Sequence, residues 1–172
     1  MQSFIKYKTF PIFIVAFLAF IIADYEGRYY GLSPILFNQI NLPENITIEV
    51  DEYETFRFID NDGFRIAGPG FRMVGSSSKI KAIQKYAISD SSIYIQCITN
   101  SGIENYCIEL SFKKNYNSSP IFKPTTKIGN IIWYKNLIQH YRILKITRII
   151  SLCILFVSII LLSYKHIRNI RK

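Results

Sequence analysis

Four acids fall within six residues, Glu49, Asp51, Glu52 and Glu54, and Asp60 and Asp62 follow closely. Paired carboxylates are what glycoside hydrolysis requires, one as the acid and one as the nucleophile or base. Here the acids alternate with apolar residues or fall in a turn, so they sit on an outward face rather than in a cleft. Asp60-Asn61-Asp62-Gly63 has the look of a calcium loop. However, the ligand position two before Asp60 is Phe58, and position twelve would be Pro69. Gly70 to Gly75 approaches a phosphate loop, but Ser76 stands where the lysine must be. The two histidines, His140 and His166, lie far along the chain from these acids, and no cysteine or histidine spacing suits zinc. The sequence therefore predicts a non-enzyme with no cofactor and no metal.

Taken with Arg57 and Arg65, the same acids have two readings. They can form exposed cross-strand ion pairs, each contributing ~0.2–1 kcal/mol and chiefly fixing register. Alternatively Glu49, Asp51, Glu52, Glu54, Arg57 and Arg65 form a patch that binds another protein. Cys97 and Cys107 pose a further choice. A disulfide between them would close a loop worth roughly 2.8 kcal/mol in entropy. Parity opposes it: the register that gathers Ile93 and Ile95 with Ile108 and Leu110 sends the two sulfurs to opposite faces, unless a bulge intervenes.

The elements that must position these residues are strands. Alternation of period two marks Ile46–Val50, Thr55–Ile59 and Phe64–Ala67. A three-residue loop ending at Gly63 would pair Asp60 with Phe64 and Phe58 with Ile66, keeping both apolar sets on one face. The stretch Lys79–Ile88 reads as strand in preference to helix. Ile93–Thr99 and Asn105–Lys113 are further strands around an Asn100–Gly102 turn. The expected fold is a mainly β domain, an antiparallel meander of six to seven short strands over residues 24–130.

Two apolar runs flank that domain. Ile149 to Tyr164 carries no charge over sixteen residues. As a helix it reaches roughly 24 Å, and Arg148 and Lys165 can extend their charges to the two interfaces of a ~30 Å hydrocarbon layer. Upstream, Trp133, Leu137, Tyr141 and Leu144 recur at helical spacing, so residues 131–164 read as a juxtamembrane helix continuing into a transmembrane one. Trp133, Arg148 and Lys165 are its interface residues, and 165–172 is a basic tail. Thr9 to Ala23 is the second run, within an N-terminal segment (1–23) that is a retained anchor or an uncleaved signal; Pro11 is placed in its first helical turn, and Tyr25, Tyr29 and Tyr30 in an interfacial belt.

The formal net charge is +9, yet residues 24–130 hold all twelve acids against eleven bases, so the excess flanks the apolar runs. That pattern fits lipid headgroups and argues against nucleic acid. Lys6 and Lys8 before the first run orient the N-terminus inward. The expectation is a two-pass protein of the bacterial inner membrane, with both termini cytoplasmic and the β domain periplasmic. Two functions fit: a tethered module binding another envelope protein, as an accessory subunit or a toxin inhibitor, or a structural or transport-associated subunit assembling through its helices. In the second, Ser151, Cys153, Ser158 and Ser163 would be packing positions.

Overall fold

A computed structural model describes residues 2–89, 92–109, 120–126 and 128–170. Helix α1 runs from Gln2 to Gly27, and α2 from Leu137 to Ile170. Between them lie β1 (Thr47–Val50), β2 (Phe56–Ile59), β3 (Arg65–Ala67), β4 (Ile80–Ser89), β5 (Ser92–Thr99), β6 (Gly102–Glu109) and β7 (Ile121–Pro124). The middle region is thus mainly β. The strands form two antiparallel sheets, β1-β2-β3 and β4-β5-β6-β7, each in chain order.

Alternation decides which faces meet. Ile48, Phe56, Phe58 and Ala67 of the first sheet are buried, as are Tyr86, Ile93, Ile95, Tyr106, Ile108 and Phe122 of the second. Phe58 joins the layers, its ring edge-on to Tyr86 at 6.0 Å and to Phe122 at 5.7 Å. Lys79–Ile88 is a strand, as its flanking period of two implies. It is long enough to pair with β5 and also, near Ile80, with Gly70 and Phe71 of the preceding loop.

The β2–β3 hairpin begins as derived and then departs. The Asp60 N–H donates to the Phe64 carbonyl at 2.9 Å and Gly63 takes φ +82°. A bulge then shifts the ladder, so that Phe58 faces Ala67 instead of Ile66. Phe64 is 66% exposed, while the small Ala67, opposite Phe58, is buried. The predicted extension of β6 through Lys113 lies outside the described residues.

Both helices differ in extent from the sequence reading. Pro11 lies inside α1, because Gln2–Phe10 is helical too. The backbone hydrogen bonds that the added turns close outweigh the one that Pro11 removes. Helix α2 begins six residues later than expected. Asn136 caps it, its Oδ1 accepting from the Gln139 N–H at 3.2 Å. Residues 131–136 belong to no helix or strand, and the Tyr134 N–H donates to the Tyr86 carbonyl at 2.8 Å on the open edge of β4.

The helices pack on one another, burying Ala16, Phe20 and Ala23 of α1 and Ser151 and Ser158 of α2. Their outer surfaces are apolar: Phe10, Val15, Leu18 and Ile22 on α1, and Ile149, Phe156, Val157 and Ile160 on α2. Thr9–Tyr30 and Leu137–Tyr164 are long and apolar enough to cross a membrane.

Candidate functional site

The site that stands out was not among the sequence candidates. Glu104 is opposite Cys97 in the β5–β6 register, in phase with Tyr106 and Ile108, so an acid occupies the inward face. Two turns bring hydroxyls to it. The β5–β6 turn closes at Thr99 and Gly102, with Gly102 at φ +124°. The loop before β4 is folded by Gly75 at φ +79° and by the Ser76 N–H donating to the Met73 carbonyl at 3.0 Å.

Tyr106 and Ser76 donate to Glu104 Oε2, Ser76 at 3.2 Å, and the Thr99 hydroxyl lies 3.1 Å from Oε1. Ser78 Oγ and Ser101 Oγ are 2.6 Å apart beside them. The Tyr106 hydroxyl, aided by those of Ser78, Thr99 and Ser76, holds the Glu104 carboxyl below its ordinary range. Burial, and then the hydrogen bond to Glu104, pushes the Tyr106 phenol up to about 12. Burial does the same to the Cys97 thiol, also about 12, with the Glu104 charge adding to it. The site at working pH is an ionised carboxylate surrounded by neutral hydroxyl donors.

A cleft of ≈ 740 Å³ opens over it, lined by Gly75, the three serines 76–78, Ser101, Ile103, Glu104, Asn105, Pro124, Thr125, Thr126 and Ile128. Among the described residues of that lining Glu104 is the one charged group. An ionised carboxylate set among hydroxyls can attract a cation.

The six residues proposed as a patch are dispersed. Glu49 is opposite Arg57, and Arg57 pairs with Asp51 at 2.9 Å. Asp51 also accepts from the Tyr53 and Thr55 N–H groups, both at 2.9 Å, and from the Thr55 hydroxyl. Those bonds from Thr55 lead in keeping its carboxyl low. Glu54 turns away from this group and meets Arg142 at 2.6 Å and Lys145 at 3.5 Å on α2. Arg65 stacks over Phe71 at 4.8 Å, and Glu52 is exposed.

Cys97 and Cys107 are not bonded in the structure. Cys107 is opposite Tyr94 and Cys97 opposite Glu104, so the sulfurs lie on opposite faces of the sheet, and both are free. No bulge interrupts the β5–β6 ladder to bring them together.

Of the residues expected at the membrane interface and in the tyrosine belt, several have partners within the chain. Trp133 precedes α2 and lines a second cleft of ≈ 320 Å³ with Tyr30, Ile88, Ile132, Tyr134 and Lys135. Arg148 bonds to the fully buried Asp24 at 3.1 Å and to the Ser33 carbonyl at 2.7 Å. Asp24 accepts further from the Ile35 and Leu36 N–H groups at 3.0 and 2.8 Å. Lys165 is on α2, with its side chain outside the described residues. Tyr29 and Tyr30 are drawn into the core. Tyr134 stacks on Tyr86 at 4.3 Å and on Tyr29 at 5.8 Å, and Tyr86 donates to the Tyr29 carbonyl at 2.8 Å. Two sequence signals mark what was missed: an acid in phase with an apolar strand face, and an acid and a base at equivalent ends of two apolar runs.

No protein-family model, curated protein or solved structure matches the chain.

Proposed function

We propose that this chain is a non-catalytic, membrane-tethered protein-binding module of the cell envelope, of the accessory-subunit or toxin-inhibitor kind. On this reading both helices cross the bacterial inner membrane, both termini are cytoplasmic, and the β domain faces the periplasm. Its partners are the lipid bilayer and another envelope protein, with no nucleic acid.

The observation that carries the reading is how the small residues of the helices are used. Ala16, Ala23, Ser151 and Ser158 are buried within the chain's own helix pair, which leaves bulky aliphatic residues toward lipid. The polar, cleft-bearing surface belongs to the β domain. Three fixings hold that domain to the helices: Asp24 with Arg148, Glu54 with Arg142 and Lys145, and the Tyr29–Tyr134–Tyr86 stack. The cleft is at the Ile80 end of β4, six residues or about 20 Å from Tyr86, where residues 131–136 and the helix side attach. A rigid mount with its recognition surface held away from the bilayer is what a tethered binder needs.

Photo-crosslinkers placed in the full chain test this. Positions Ser77 and Glu52 on the β domain should capture one and the same envelope protein, and Phe156 and Ile160 on α2 should capture lipid. Capture of a protein from α2 alone would favour the second reading, a subunit that assembles through its helices. That reading draws on Cys153, which is exposed on α2.

A further inference from the structure

Glu104 has more charge than its structural position requires. Sealing the end of a two-sheet domain needs paired polar groups, and the Ser78–Ser101 contact already supplies a neutral pair. An ionised carboxylate adds a desolvation cost that hydroxyl donors offset without cancelling its charge. Ser76 Oγ and Thr99 Oγ1 each accept one backbone N–H, from Ser78 and Ser101 at 3.1 Å, and a hydroxyl oxygen has a second lone pair to offer. The result is a negative centre with acceptor oxygens around it, and among the described residues of the lining no basic side chain answers it. Beside it lie Ile103, 63% exposed, Ile128, 42% exposed, and Pro124, an apolar shelf at the rim.

We propose that this cleft takes a lysine side chain of the partner protein, its ammonium against Glu104 and the serine hydroxyls and its aliphatic stem along Ile103, Pro124 and Ile128. The proposal rests on the binding-module reading and names the partner's chemistry. Lysine fits better than arginine. A guanidinium fork seeks both oxygens of a carboxylate, and here Tyr106 and Ser76 cover Oε2 while Thr99 sits at Oε1. A compact ammonium with three donors matches a ring of single acceptors, and a four-carbon stem matches the shelf.

The test titrates Nα-acetyl-lysine methylamide into the full chain in detergent micelles, read by saturation-transfer difference NMR. Saturable binding is expected, at least about tenfold weaker for the Nε-acetylated analogue and weaker for the arginine analogue. Glu104→Gln should weaken the lysine probe by a similar factor. Should that variant fail to fold, Ser77→Lys at the exposed rim leaves Glu104 in place and supplies a competing ammonium, with the same loss expected. No saturable signal, equal binding of charged and acetylated probes, or a folded variant that binds like the native chain overturns the proposal. If the lysine probe fails while a crosslinker at Glu52 still captures the partner, the lysine assignment falls and the binding module stands. If both fail, both readings fall.

Discussion

The Glu104 carboxyl, ordinarily near 4.5, is held lower by Tyr106 and its neighbouring hydroxyls. A carboxyl depressed in the folded state contributes stability that is present above its unfolded value and lost as pH falls through the folded one. Thermal unfolding of the native chain and of Glu104→Gln should therefore differ by a constant amount at neutral and mildly acidic pH. The gap should close below pH 4.5, and a gap that persists in stronger acid would refute the hydroxyl clamp. The cysteines give a second prediction at this scale. Burial raises both thiols, Cys97 to about 12 and Cys107 in the same direction. Cys97 should resist a maleimide until the chain unfolds. Alkylation of the denatured, unreduced protein should then modify both residues; a mass two hydrogens short with neither alkylated would restore the disulfide.

At the scale of elements, what connects helices to sheets can be tested by breaking it. Removing Arg148 leaves the buried Asp24 carboxylate with backbone donors alone, at a cost of about 3 kcal/mol or more. Asp24→Asn keeps an acceptor for Ile35 and Leu36 and should cost about 1–2 kcal/mol. The double variant should lose less than the sum, and strict additivity in chemical denaturation would show that the two groups do not interact. Glycines separate backbone strain from crowding. Gly31 has φ +76°, and a Cβ there would lie 2.6 Å from Val50 Cγ2, whereas Gly63, at φ +82°, has open space around it. Gly31→Ala should cost about 2–4 kcal/mol and Gly63→Ala about 1 kcal/mol. Equal losses would mean that the packing of Val50 against Gly31 is loose.

These elements also mark how far the sequence could be read. Period two found the cores of β1 to β6, including Lys79–Ile88, because alternation is written in neighbouring residues; it did not find β7, which lies in the polar, proline-containing stretch 115–127 that reads as a connector. It missed the bulge that exchanges Ile66 for Ala67 opposite Phe58, since the need for a small residue arises from rings contributed by β4 and β7. The helical spacing of Trp133 with Leu137 was misleading: the open edge of β4 claims Tyr134, and Asn136 starts the helix after it. Glu54 was read with its neighbours on the β1 face, although its partners are about ninety residues downstream on α2. The Glu104 site depends on three segments meeting, and parity alone could have flagged only the acid.

For the molecule as a whole, the β domain and the helices share one core. Tyr30, Leu137 and the partly buried Tyr134, Tyr141 and Leu144 belong to the same cluster as Phe58 and Tyr86. A fragment of residues 24–130 lacks the last four of these and should not fold cooperatively, so partner binding has to be measured on the full chain. Loss of the N-terminal segment after Ala23 would strip Ala16, Phe20 and Ala23 from the helix pair and expose Ser151 and Ser158. The central claim, that a helix pair in the membrane displays the β domain outside the cytoplasm, meets its most direct test in one labelling experiment. A Ser77→Cys variant in a Cys107→Ser background is treated in intact spheroplasts with a membrane-impermeant maleimide. Labelling before lysis, on a chain that stays with the membranes, is the predicted result; labelling that appears after lysis alone would contradict it.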